Sequence, residues 1–149
     1  TLTLVGSDHG GYTEQMQALS ARLHLEDKVQ FLGSRTDVPQ LLQAADLFVH
    51  PATCQEGFGI TLIEAMASGV PCLAFPKGAI PEIIGPEIDG FLTEEVSAAA
   101  LTAGINRALE LFTKAPHHWH TLCKNARQKA ELFSIERTVA QLEALYQDQ

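Results

Sequence analysis

The chain has 149 residues, 46% hydrophobic and 19% charged, which fits one globular domain with one core and excludes a disordered segment. Its 10 basic residues face 18 acidic ones, a net charge of −8 that argues against a general nucleic-acid binder, although backbone amides could still hold a phosphate locally. No apolar run is long enough to cross a bilayer, and Cys54, Cys72 and Cys123 lack metal or redox spacing, so a reducing, cytoplasmic setting is expected.

The opening run TLTLVGSDHGG has no basic start and no cleavage site, and it begins directly on a strand-like stretch, as a piece of a longer protein would. Leu2–Gly6 reads as a buried strand, and Glu14–Leu25 as a helix with Met16, Leu19 and Leu23 on one face. Val29–Leu32 is a second strand closed by Gly33. A helix from Val38 to Ala45 turns Leu41, Leu42 and Ala45 inward. Leu47–His50 is a third strand stopped by Pro51. Gly59–Ala67 is helical, and Cys72–Phe75 is a fourth strand. Ile80–Ile84 makes a short helix opened by Pro81, and Gly90-Phe91-Leu92 a weak strand. Three helical patterns close the chain, near Val96–Phe112, His117–Leu132 and Ile135–Gln147.

Strands alternating with helices at this spacing predict an α/β fold, a doubly wound parallel sheet in which ligands sit beyond the carboxyl ends of the strands. The densest motif lies at such a place, running from Pro51 through Glu56-Gly57-Phe58-Gly59 to Glu64 and Pro71. Gly57 and Gly59 let the backbone approach a ligand closely, and the helix starting near Ile60 offers free amides and the positive end of its dipole to a diphosphate. Glu56 and Glu64 are poor partners for phosphate but good acceptors for sugar hydroxyls, so they could hold the two rings that flank a diphosphate. That division suits a nucleotide sugar.

This segment resembles the donor-site signature of the family 4 retaining glycosyltransferases of GT-B type, with seven residues between its two glutamates. Leu4-Val5-Gly6, Val29-Gln30-Phe31-Leu32-Gly33, Ala45-Asp46 through Pro51, Pro81-Glu82 and Asp89-Gly90-Phe91-Leu92 resemble further blocks of the family in order, from Leu2 to about Glu94. The resemblance implies that Glu64 holds the ribose hydroxyls and that Glu56, the catalytic candidate, contacts the transferred sugar near its reacting carbon. It implies that amides around Gly57, Phe58, Gly59, Ile60 and Thr61 cradle the diphosphate. Gly6 would belong to a Gly-rich loop, and Ser34 and Arg35 would receive the base. It implies transfer to a hydroxyl with retention and without a metal or other cofactor, the nucleoside-diphosphate sugar being the donor substrate. Front-face attack is favoured over a covalent Glu56 intermediate. A sugar-nucleotide epimerase on the same scaffold and a non-catalytic nucleotide-sugar-binding partner are the alternatives.

By the same resemblance, residues 1–149 form an incomplete nucleotide-sugar-binding domain. The first strand, an Arg and a Lys that neutralise the diphosphate, and the N-terminal acceptor-binding lobe would lie upstream. The absent strand would pair with both Leu2–Gly6 and Leu47–His50, so this chain alone is expected not to make a stable complete domain. The full-length enzyme would be cytoplasmic, with room for peripheral association at the inner face of the membrane; base, sugar and acceptor stay open. Gly78-Ala79 stands where the family has Gly-Gly, and Lys77 could reach a phosphate. His9 could touch the donor or merely fill its loop. His117, His120 and Cys123 would share one helix face, a conceivable metal site with no partner motif elsewhere.

Overall fold

The structure is a computed structural model and describes residues 1–8 and 10–147. It divides into two compact units, Thr1–Val38 and the chain from Pro39 onward. In the first unit, strand β1 (Leu2–Val5) leads through helix α1 (Tyr12–Arg22) to strand β2 (Val29–Gly33). The two strands pair in parallel, Leu2 beside Val29 and Leu4 beside Phe31. The register shifts between Leu4 and Val5, and the Gly6 amide then donates to the Gly33 carbonyl at 2.9 Å.

Two expectations fail in this unit. β1 is exposed along its whole length instead of buried, because among the described residues no element covers its faces. Met16 and Leu23 are likewise exposed, and Ser20 is the buried residue of α1. An apolar stripe shows which face could be covered; burial needs a covering element.

Helix α2 (Val38–Gln43) spans the boundary between the units; it buries Leu42 and ends before Ala45, which is exposed. Strands β3 (Phe48–His50), β4 (Cys72–Ala74) and β5 (Gly90–Leu92) form a three-stranded parallel sheet in that order. Helix α3 (Ile60–Ala67) crosses over between β3 and β4, and the short helix α4 (Ile80–Ile83) lies between β4 and β5. Helices α5 (Ala98–Lys114), α6 (Pro116–Glu131) and α7 (Ile135–Gln147) follow. The α/β fold with parallel strands is as expected, and strand and helix bounds agree within two or three residues.

The core of the second unit is centred on β4, whose three residues are fully buried together with Leu62, Ala65 and Met66 of α3. Leu73 packs with Phe91, Ala108, Trp119 and Leu122. Trp119 on α6 has its ring centroid 5.3 Å from that of Phe112, edge to face, which ties α5 and α6 together. α3 packs against α6. This packing fixes the start of α3 with respect to the C-terminal end of β3. Among the described residues, no helix is long and apolar enough to cross a membrane.

Candidate functional site

β3 ends at His50, and Pro51 stops the strand, having no N–H to continue its ladder. The loop after it rises to Glu56 and turns into α3 through Gly59, which adopts the left-handed conformation at φ 74°. Any side chain here would be strained by that dihedral, and its Cβ would stand 3.0 Å from Ile83 Cδ1 and 3.1 Å from Leu62 Cδ1. The turn is therefore a tight strand-to-helix bend against the core.

Glu56 closes this bend. Its Oε1 accepts the Gly59 amide at 3.0 Å, and its Oε2 lies 3.4 Å from His50 Nε2. The Gly59 amide holds the Glu56 carboxyl below its ordinary pKa; the Phe58 amide and His50 add to the effect, while partial burial opposes it. The backbone of Glu56 is gripped as well, since its carbonyl accepts the Ala79 amide at 3.0 Å. Glu56 is thus anchored at Oε1 and at its main chain, at the positive end of α3, with His50 beside Oε2.

That geometry alters one expectation. The Gly59 amide, predicted to face a diphosphate, is taken by Glu56. The amides of Ile60 and Thr61 have no partner among the described residues, so the bare end of the helix lies one residue later than the motif suggests. Gly57 and Phe58 are exposed on the turn, and the Phe58 ring meets Phe133, just beyond α6, edge to face at 6.1 Å.

Glu64 lies on the solvent face of α3 together with Ile60 and Thr61, while Leu62, Ala65 and Met66 face the core. The structure thus brings Glu56, Gly57, Phe58, Gly59, Ile60, Thr61 and Glu64 onto one turn and one helix. Gly6, Ser34 and Arg35 belong to the first unit, at the carboxyl ends of its two strands. Arg35 forms a two-pronged pair with Asp37, Nε to Oδ1 and Nη2 to Oδ2 both at 2.8 Å, which raises the pKa of the guanidinium and lowers that of the carboxyl. His9 lies outside the described residues. A shallow groove of about 750 Å³ between β5 and α5, lined by Leu92, Thr93, Glu94, Gly104 and Arg107 among others, includes none of the predicted site residues. No group of three or more His, Cys, Asp or Glu is placed to hold a metal among the described residues, His117, His120 and Cys123 included.

Two further contributors carry no local signal: His50 stands at the end of a strand and Gly78 in a loop where the resembling family has Gly-Gly, and only folding brings them to Glu56.

The family model of the glycosyl transferases group 1 matches residues 1–129. The chain belongs to that family. It is similar to the N-acetyl-alpha-D-glucosaminyl L-malate synthase of Bacillus anthracis, 37% identical over 131 residues that cover 87% of this chain and 33% of the relative. It is also similar to the lipopolysaccharide core biosynthesis mannosyltransferase LpsB of Rhizobium meliloti, 30% identical over 93% of this chain and 39% of that protein. The crystal structure of Anabaena Alr3699/HepE in complex with UDP superposes with a TM-score of 0.85 at 31% identity, over 100% of this chain and 41% of that one. HepE has also been solved in complex with UDP-glucose. The chain thus spans well under half the length of these relatives. Its fold is the Rossmann-like C-terminal domain of a GT-B glycosyltransferase.

Proposed function

We propose that this chain is the donor-binding lobe of a retaining, metal-independent glycosyltransferase of family 4, which moves a sugar from a nucleoside-diphosphate sugar to a hydroxyl. The observation that carries the reading is Glu56, locked on the amide turn at the start of α3, with Glu64 exposed on that helix. The free amides of Ile60 and Thr61 suit a diphosphate, and a carboxylate on either side suits the ribose and the transferred sugar. The complexes of HepE with UDP and UDP-glucose support a nucleotide-sugar donor.

In this reading Glu64 binds the ribose hydroxyls, and Glu56 acts beside the reacting carbon. Its lowered pKa keeps it anionic, a state suited to stabilising positive charge that develops on the sugar. Ser34 and Arg35 receive the base, and Gly6 lets the backbone approach the donor. An acceptor-binding lobe outside this chain supplies the other wall of the site. The enzyme works in the cytoplasm, with peripheral association at the inner face of the membrane. No observation favours the epimerase or the non-catalytic alternative.

The test is a thermal-shift screen of the full-length protein against UDP-, GDP- and ADP-sugars, followed by nucleotide release with and without chelator. One nucleotide should raise the melting temperature, and chelator should leave turnover unchanged. No shift with any donor would remove the reading, and loss of turnover in chelator would remove metal independence.

A further inference from the structure

His50 occupies the last position of β3, with its side chain 16% exposed, and its buried Nε2 makes no aligned hydrogen bond. Buried polar atoms without a partner are rare, and one beside a functional carboxylate needs an account. Glu56 Oε2 lies 3.4 Å from His50 Nε2. The ring of Phe48, two residues earlier on the same face of the strand, lies beside that of His50, with centroids 6.3 Å apart and planes 29° from parallel.

Glu56 has two carboxylate oxygens and only one is tied to the main chain. Oε1 takes the Gly59 amide. Without a second contact the carboxylate could swing about that bond, and a group acting at a reacting carbon must stay close to its productive geometry. His50 is the one side chain of opposite potential charge paired with Glu56 among the described residues. A strand terminus is a rigid place from which to hold it.

We propose that His50 is a positioning residue, whose Nε2 acts on Glu56 Oε2 to fix the plane of the carboxylate that Gly59 anchors at Oε1. The inference rests on the proposed function for its catalytic consequence, but the hold on the carboxylate stands apart from it.

The experiment compares the full-length wild-type protein with His50→Gln and His50→Leu. Gln places an amide N–H near the position of Nε2, while Leu fills space without a donor. Nucleotide release from UDP-glucose, GDP-mannose and ADP-glucose, nucleotide affinity, and a crystal structure of each variant are the readouts. His50→Leu should lower kcat about tenfold with nucleotide affinity unchanged, and His50→Gln should recover most of that loss. In the crystals the Glu56 carboxylate should turn away from its place in His50→Leu and keep it in His50→Gln. An unmoved carboxylate in His50→Leu, a wild-type kcat for it, or equal damage by Gln and Leu would overturn the proposal. If the wild-type protein neither binds nor turns over any of the three donors, glycosyl transfer falls, while the crystal comparison still decides whether His50 holds Glu56.

Discussion

Gly78 lies directly against the backbone of Glu56: a Cβ built on it would stand 2.6 Å from the Glu56 nitrogen and closer still to its carbonyl oxygen. Its φ of +56° is also one that other residues reach only with strain. The neighbouring Ala79 amide donates to that same carbonyl, so the loop after β4 clamps the main chain of the candidate catalytic residue. Gly78→Ala is expected to cost about 2–4 kcal/mol, from the strained dihedral and the backbone displacement together. Denaturant unfolding measures it. A cost near zero would show that the loop does not bear on Glu56.

Glu56→Gln keeps an oxygen for the Gly59 amide but removes the charge. Transfer should fall about a hundredfold, as for loss of one electrostatic stabiliser, while nucleotide affinity stays within about threefold. The folded pKa of Glu56 is lowered, so its share of stability is present above the ordinary carboxylate range and is lost as pH falls through the folded value. The Gln variant should lose that acid-side dependence. Steady-state kinetics and unfolding between about pH 3 and 7 check both parts, and normal turnover would take Glu56 out of the site.

Glu64→Ala removes an exposed side chain from the middle of α3, where Ala is the better helix former. Stability should therefore stay level or rise slightly. Affinity for the nucleoside diphosphate should drop about tenfold or more, the worth of hydrogen bonds to a charged group. Calorimetry on the full-length protein decides it, and unchanged affinity would end the ribose role.

Asp89 is 5% exposed and its Oδ1 accepts the Gly85 amide at 2.8 Å in the loop before β5. Burial raises its pKa, with the Gly85 amide and Lys129 offsetting part of the effect. The sign is opposite to that of Glu56: between the ordinary carboxylate value, about 4, and the raised one, the unfolded chain has lost its proton while the folded chain keeps it. Stability through this group then falls as pH rises across that window. Asp89→Asn retains an oxygen for Gly85 and does not titrate, so the stability difference should move in its favour with rising pH. Parallel curves for the two proteins would contradict the burial effect.

Much of this molecule is local. The alternation of apolar runs with amphipathic ones placed the strands and helices of the described residues in order, because short apolar runs and a 3.6-residue period are written into neighbouring side chains. The glycine-flanked bend before α3 was legible for the same reason, since Gly59 must take a dihedral that few other residues tolerate. Contacts across sequence distance were not. Met16 and Leu23 form an apolar stripe that the structure leaves exposed, and nothing in α1 itself says what should cover it. Glu56 stands out as the catalytic candidate from its motif, but what holds it does not: three-dimensional packing gives it His50, the Gly59 amide and the clamp at Gly78 and Ala79. Dihedral preference and periodicity act within a few residues, whereas the meeting of β3, α3 and the loop after β4 depends on how the core packs around Leu62 and Leu73.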